Sequence, residues 1–229
     1  MMGSMAIQQG ARAKIGGATP ARRRSDRLLA GAGLFALVVG LGLVLSTAVT
    51  FYQGYSEQSG LVQTFRKQIA DSPPPSAPPE VVKPNLMVPV DGVDFAIRVP
   101  RLGYYAAVKE GTDLNVLYSG PGHYSATPWP GQPGNVGVAA HNVYWIRFAD
   151  LRAGDEVDLE TRYGTFKYRV TGTRIVNPDD RTVLVQEPGR KMTLTTCWPL
   201  WAGSFATQRY VLFTEQFFPE AAQQVPTNR

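Results

Sequence analysis

Three side chains in the sequence are of the types that acyl transfer through sulfur requires. Cys197 is the single cysteine among 229 residues, so no intrachain disulfide can form. The two histidines are His123 and His141, and Arg209 follows Cys197 by twelve residues. A thiolate can attack a carbonyl, an imidazole can exchange protons with the sulfur and a departing amine, and a guanidinium can hold an oxyanion. Each residue alone also admits a plain reading. A lone cysteine is often a small core hydrophobe, a histidine at a strand end is often a hydrogen-bonded structural residue, and an arginine is often solvated or ion-paired.

The local context of each residue is that of a strand end. The run Met192-Thr193-Leu194-Thr195-Thr196 before Cys197 is rich in β-formers, and Pro199 bars the regular ladder from continuing. The thiol is therefore expected where a strand opens into a loop, a place where rigid scaffolds present reactive groups. His141 closes the small apolar run Gly137-Val138-Ala139-Ala140, and Arg209 opens the last strand candidate, Tyr210 to Thr214. Further strands are expected at Phe95–Val99, Thr182–Val185 and Met192–Thr196. Glu156–Thr161 and Thr165–Val176, joined by a Tyr163-Gly164 turn, read as a hairpin. Helical pattern is confined to about one turn near Asp113–Leu117 and another near Arg147–Leu151. Short strands between glycine and proline loops predict an all-β domain, either a closed barrel or a sandwich.

The charge distribution tells where that domain lies. The net charge is +5, yet residues 1–27 alone hold six basic side chains and one acid, Asp26. Residues 28–229 hold 17 basic and 17 acidic side chains. A nucleic-acid partner is disfavoured by that balance. The tail is followed by LLAGAGLFALVVGLGLVLSTAVTF, residues 28–51, which carries no charge and is long enough to cross about 30 Å of hydrocarbon. Positive charge on the near flank predicts a cytoplasmic N-terminus and an exported remainder, making this a single-pass membrane protein. A cleavable signal peptide competes through Ser46-Thr47-Ala48, but its apolar region should span only about 7–15 residues, so the uncleaved anchor is favoured. Beyond it, Leu61, Phe65 and Ile69 recur at helical spacing and extend a helix through residues 52–71. Ser72–Pro84 has six prolines in thirteen residues and reads as a semi-rigid spacer. The expected organisation is a basic cytoplasmic tail at 1–27, an anchor at 28–51 and a linker at 52–85. A catalytic domain at 86–218 and a short tail at 219–229 follow.

Thr193-Leu194-Thr195-Thr196-Cys197, the upstream His141 and the downstream Arg209 together resemble the sortases, the cysteine transpeptidases of bacterial surfaces. The resemblance runs from about Asp94 to Thr214. It includes Ile97-Arg98-Val99-Pro100-Arg101-Leu102, Glu110-Gly111, Gly120-Pro121-Gly122-His123-Tyr124, Pro130-Gly131, Gly134-Asn135 and Gly154-Asp155 in order. The layout and the glycine–histidine motif look most like classes D and E. Departures from class E are Asn142 after the histidine, where many members carry arginine, and the aromatic stretch Trp198-Pro199-Leu200-Trp201. Whether those aromatics are groove surface or loop packing stays open.

The resemblance implies an eight-stranded β-barrel with short helices, preceded by one N-terminal transmembrane helix, with Cys197 ending the seventh strand and Arg209 on the eighth. It implies Cys197 as nucleophile, His141 as general acid/base and Arg209 as the group that orients substrate or stabilises the oxyanion. Thr195, Thr196 and Trp198 are implied as substrate-binding residues. Asn177–Gly189 corresponds to the loop over the peptide, and Trp198–Gln208 to the opposite wall. His123 falls on a motif that is structural or groove-lining. The implied reaction cleaves a Leu-Pro-x-Thr-Gly-type sorting signal of a secreted surface protein between Thr and Gly. The acyl group then passes to an amine such as a cell-wall precursor or a pilin lysine. That chemistry needs no cofactor and no metal, and no dense Asp/Glu/His cluster stands out in the sequence. Two other readings are an inactive β-domain acting as a scaffold and an L,D-transpeptidase, although the Ser-His-Gly-x-x-Arg-like stretch of the latter is absent.

Overall fold

The computed structural model describes residues 20–75 and 84–219. Most of the basic tail, the middle of the proline-rich stretch and the C-terminal tail after Pro219 lie outside the described residues. The chain divides into two compact units, residues 1–50 and 51–229. The first contains the apolar part of helix α1 (Pro20–Asp71). Its side chains from Leu28 to Val49 are exposed, among them Phe35 at 72% and Leu37 at 64%. A helix this long and this apolar, with mean hydropathy 2.5 in its most apolar stretch, is one that can cross a membrane. It fits a membrane anchor or a signal segment.

The second unit is a closed barrel of eight strands. These are β1 (Phe95–Val99), β2 (Tyr104–Glu110), β3 (Gly122–His123), β4 (Gly134–Ala139), β5 (Glu156–Thr161), β6 (Gly164–Val176), β7 (Arg190–Trp198) and β8 (Gln208–Phe218). Their order round the barrel is β1-β2-β3-β4-β7-β8-β6-β5, with β5 pairing back to β1. The sheet is mixed, because β2–β3 and β4–β7 are parallel and the other pairs are antiparallel. Closure gives every strand a neighbour on both sides, although the β2–β3 pairing is confined to Lys109 and Glu110. The helical turns expected from sequence are present as α2 (Leu114–Leu117) and a 3-10 turn at Phe148–Asp150. α2 starts at Asp113, whose carboxylate accepts from the N–H groups of Asn115 and Val116.

One expected strand is absent. Thr182–Val185 lies in a 3-10 turn, Arg181–Leu184, because the Asp180 carboxylate caps its start by accepting from the Thr182 N–H. Local capping outweighs the β-propensity of Thr182, Val183 and Val185. The barrel interior is filled by one side of each strand, including Phe95 and Ile97 from β1, Phe166 and Tyr168 from β6, Met192 and Leu194 from β7, and Leu212 from β8. Strand alternation then turns Thr193, Thr195 and Cys197 toward the outer face.

The part of α1 that follows Phe51 packs on this barrel. Phe65 is fully buried against Val93, Ala96 and Ala107, with Leu61, Val62 and Ile69 beside it. Burying such a ring is worth roughly 2–3 kcal/mol. The Gln58 amide also accepts from the Ala107 N–H and donates to the Ala107 carbonyl, as a neighbouring strand would.

Asp158 on β5 is a cost that the barrel carries. Its carboxylate is 1% exposed, and it forms an ion pair with Arg98, whose Nη1 lies 3.5 Å away. Burial, and then the neighbouring Glu156, push its pKa up to about 6. In the unfolded chain the same group titrates near 3.9. The native state therefore binds the extra proton, and this group lowers stability as pH rises from about 4, fully so above about 6. Asp158→Asn is expected to raise the melting temperature by several degrees at pH 7.5. The gap should close as pH falls toward 4, which a calorimetric pH series reads directly.

Candidate active site

Register brings the three candidate residues to one end of the sheet. Cys197 on β7 lies directly opposite Arg209 on β8, so their side chains share the outer face. Arg209 Nη1 donates to Cys197 Sγ at 3.3 Å and also approaches the Gln208 carbonyl at 3.4 Å. On the other flank β4 runs parallel to β7, with Ala139 beside Thr195. The Ala140 N–H continues that ladder onto the Thr195 carbonyl at 3.2 Å, and the next residue is His141. His141 and Cys197 line one cavity of about 220 Å3 with Arg209, Thr195, Thr196, Tyr124, Leu114 and Leu117. His141 is half-buried, and burial holds its imidazole below the ordinary 6.5. It is therefore neutral at pH 7 and free to accept a proton.

A second cavity of about 460 Å3 adjoins the first and shares Tyr124, Thr195 and Arg209 with it. Its other wall comes from the Asn177–Gly189 loop, through Pro178, Arg181, Val183 and Leu184. The two cavities form an open groove along the outer face of β4, β7 and β8. Gly137 is part of why the groove exists. A methyl there would stand 2.8 Å from the Tyr124 ring and 3.0 Å from Leu184. Thr195 lines both cavities and shares a 2.9 Å hydrogen bond with the Tyr124 hydroxyl. Thr196 lines the first, buried and with its hydroxyl unpartnered.

Trp198 is placed differently. It lies outside the lining of both cavities, with its ring stacked on Tyr210 at 5.6 Å. The more exposed aromatics of the following loop are Trp201 and Phe205, 82% and 87% accessible. Tyr124, Leu114 and Leu117 are groove residues that sequence reasoning did not single out. Tyr124 had one usable signal, since it follows His123 on β3 and alternation must send the two to opposite sides.

His123 is fully buried on the opposite side of β3 from Tyr124 and takes no part in the groove. It lies beside Asp94 and Glu110, a cluster whose outer members are 29 positions apart and which so leaves no compact signature in the sequence. Its Nδ1 meets Asp94 at 3.0 Å and Glu110 at 3.6 Å, and its Nε2 lies 3.1 Å from the Pro128 carbonyl. That carbonyl can only accept, so Nε2 carries a proton. Burial pushes the Asp94 carboxyl up to about 6, with His123 drawing it down and Glu110 adding to the rise. The three ligand atoms lie within 4.8 Å of one another and are the group among the described residues that could close on a cation. A cation would have to displace the hydrogen between Asp94 and His123. The observed contacts are those of groups sharing protons and pinning the turn that carries Tyr124 and Thr127, whose hydroxyl lies 3.2 Å from Nε2.

Residues 97–217 match the family model of the sortase domain, just over half of the chain. The chain belongs to the sortase family. It is 30% identical over 119 residues to Sortase D of Bacillus subtilis (strain 168), a stretch that covers 51% of this chain. The chain spans 60% of that relative's length. Among solved structures it is similar to a sortase D5 transpeptidase of Clostridium perfringens, with a TM-score of 0.51 and 28% identity. That likeness covers 56% of this chain and 79% of the other. A sortase E variant from Streptomyces avermitilis matches with a TM-score of 0.50 and 31% identity, over 57% of this chain and 91% of its own. These relatives are sortases of the two classes that the order of motifs resembles, and the eight-stranded barrel is the sortase fold.

Proposed function

We propose that this sortase is a cysteine transpeptidase in which Cys197 is the nucleophile, His141 the general acid/base and Arg209 the holder of the oxyanion. The observation that carries the reading is the 3.3 Å contact between Arg209 and the Cys197 sulfur, in a cavity that His141 also lines. The substrate is a sorting signal of Leu-Pro-x-Thr-Gly type on a secreted surface protein. The sulfur attacks the threonine carbonyl as its proton passes to His141. Charge develops on the carbonyl oxygen, and the Arg209 guanidinium lies where it can meet that charge. His141 returns the proton to the glycine nitrogen, the C–N bond breaks, and a thioester to Cys197 remains. An amine of the cell wall or of a pilin lysine then attacks the thioester, giving up a proton to His141, and the thiol is regenerated. Thr195, Thr196 and Tyr124 form the floor against which the peptide lies. Trp198, stacked on Tyr210, packs against the barrel core beside that floor.

The enzyme is held at the cell membrane by the apolar part of α1, with the basic tail in the cytosol and the barrel outside. The test combines the full chain with fluorogenic Leu-Pro-x-Thr-Gly and Leu-Ala-x-Thr-Gly peptides and hydroxylamine as acceptor. The expected products are a threonine hydroxamate and a free amino-terminal glycine fragment. A folded protein that yields neither from any peptide overturns the reading and leaves the barrel a binding scaffold.

A further inference from the structure

Helix α1 touches the barrel at a second place besides Phe65, and that place adjoins the groove. Gln53, Gly54, Glu57 and Gln58 all meet the short segment Tyr118–Gly120 that links α2 to β3. The Tyr118 hydroxyl reaches Gln53 at 3.4 Å, and the Ser119 hydroxyl donates to Glu57 at 3.0 Å. A methyl on Gly120 would collide with the Gln58 amide nitrogen, so Gln58 would have to give up its present position. Gly54 is buried. A methyl on it would stand 2.7 Å from the Tyr118 carbonyl oxygen and 2.9 Å from the Tyr144 hydroxyl. Those two atoms are hydrogen-bonded to each other, Tyr144 donating at 2.5 Å.

Both partners lead into the groove. Tyr118 caps the end of α2, whose Leu114 and Leu117 line the cavity around Cys197. Tyr144 closes the turn that begins at His141, its N–H donating to the His141 carbonyl at 3.0 Å. The other side of that turn is tied to the loop after Cys197, because the Asn142 amide donates to the Gly203 carbonyl at 3.1 Å. We propose that the Gln53–Gln58 stretch of α1 is a positioning element of the active site, in which the notch at Gly54 seats the helix against the Tyr118–Tyr144 bond and so sets where His141 stands beside Cys197. The proposal rests on His141 being the proton carrier. Under it, the helix that leads from the membrane-spanning segment is part of the catalytic machinery's frame. One of the atoms in the notch is a backbone oxygen, which cannot swing aside, so any side chain at position 54 must lift the helix or break that bond.

The experiment compares Gly54→Ala with Gly60→Ala in the full chain in detergent micelles. Gly60 lies on the same helix with open space about its Cα, so the same change there adds no clash. Alanine favours helix over glycine, so neither variant should unfold α1. Gly54→Ala is expected to lower kcat at least about tenfold, with KM for the fluorogenic peptide within twofold, since small misplacement of a catalytic group acts on the chemical step. Hydrogen exchange at residues 114–120 and 141–146 should quicken in Gly54→Ala and stay unchanged in Gly60→Ala. Tyr144→Phe, which removes the bond without the clash, should reproduce the fall in kcat. Unchanged exchange at those segments in Gly54→Ala overturns the proposal. So does faster exchange with a wild-type kcat. Faster exchange in a protein whose wild type makes no product keeps the mechanical coupling and removes the functional reading instead.

Discussion

Cys197→Ala is expected to abolish amide formation, lowering kcat/KM by at least about 10^4-fold. The size follows from the division of labour in the groove. Under the proposed mechanism no thioester can form without the sulfur, so the reaction would lose its covalent intermediate entirely and not merely a favourable contact. The barrel should tolerate the change. Cys197 lies on the outer face near the end of β7, half-buried, while the interior side of that strand is filled by Met192 and Leu194. A melting temperature within a few degrees of wild type, together with loss of product, separates a chemical role from a structural one. A scaffold function would be untouched by the same substitution.

Arg209→Ala is the second large effect. A cationic donor aimed at developing negative charge is worth about 10^2–10^3 in kcat, and KM should move much less. The loss should be specific to this side chain, because among the described residues Arg209 is the one arginine or lysine lining the cavity around Cys197. Arg209→Lys keeps the charge but gives up the planar fork of donors, so it is expected to recover less than a tenth of what alanine loses. Steady-state kinetics with the fluorogenic peptide and hydroxylamine measure both. An Arg209→Lys variant with wild-type kcat would assign Arg209 a general electrostatic role in place of a directional one.

Local sequence revealed the ends of this site better than its walls. Cys197, His141 and Arg209 each follow or open a β-forming run, and the reason is physical. A strand that ends in a polar residue before a loop is a local pattern, visible within six residues. The outward face of β7 was equally readable, since Met192 and Leu194 alternate with Thr193 and Thr195. The pairing of β4 beside β7 was not, because parallel neighbours are joined by a long connection and register is a non-local property. Tyr124 illustrates the same limit. Its hydroxyl meets Thr195 across 71 residues, and nothing near it in the chain signals that partner. Thr182–Val185 failed for the opposite reason. Its β-branched residues promised a strand, but Asp180 immediately upstream supplies a cap that converts the segment into a turn. Asp94, Glu110 and His123 were invisible as a group, since they come from the approach to β1, the end of β2 and β3. Helix α1 was readable as a helix from Leu61, Phe65 and Ile69, whereas its grip on Tyr118–Gly120 depends on Gly54, a residue with no side chain to announce a contact.

A covalent intermediate on Cys197 is the step that distinguishes the proposed mechanism from a binding scaffold. The full chain is incubated with a Leu-Pro-x-Thr-Gly peptide without added acceptor, quenched in acid, and weighed intact. The predicted result is an added mass equal to the peptide through its threonine, mapped to Cys197, released by hydroxylamine and absent from Cys197→Ala. Turnover of the peptide by the Cys197→Ala variant, or an adduct carried on any other residue, would contradict it.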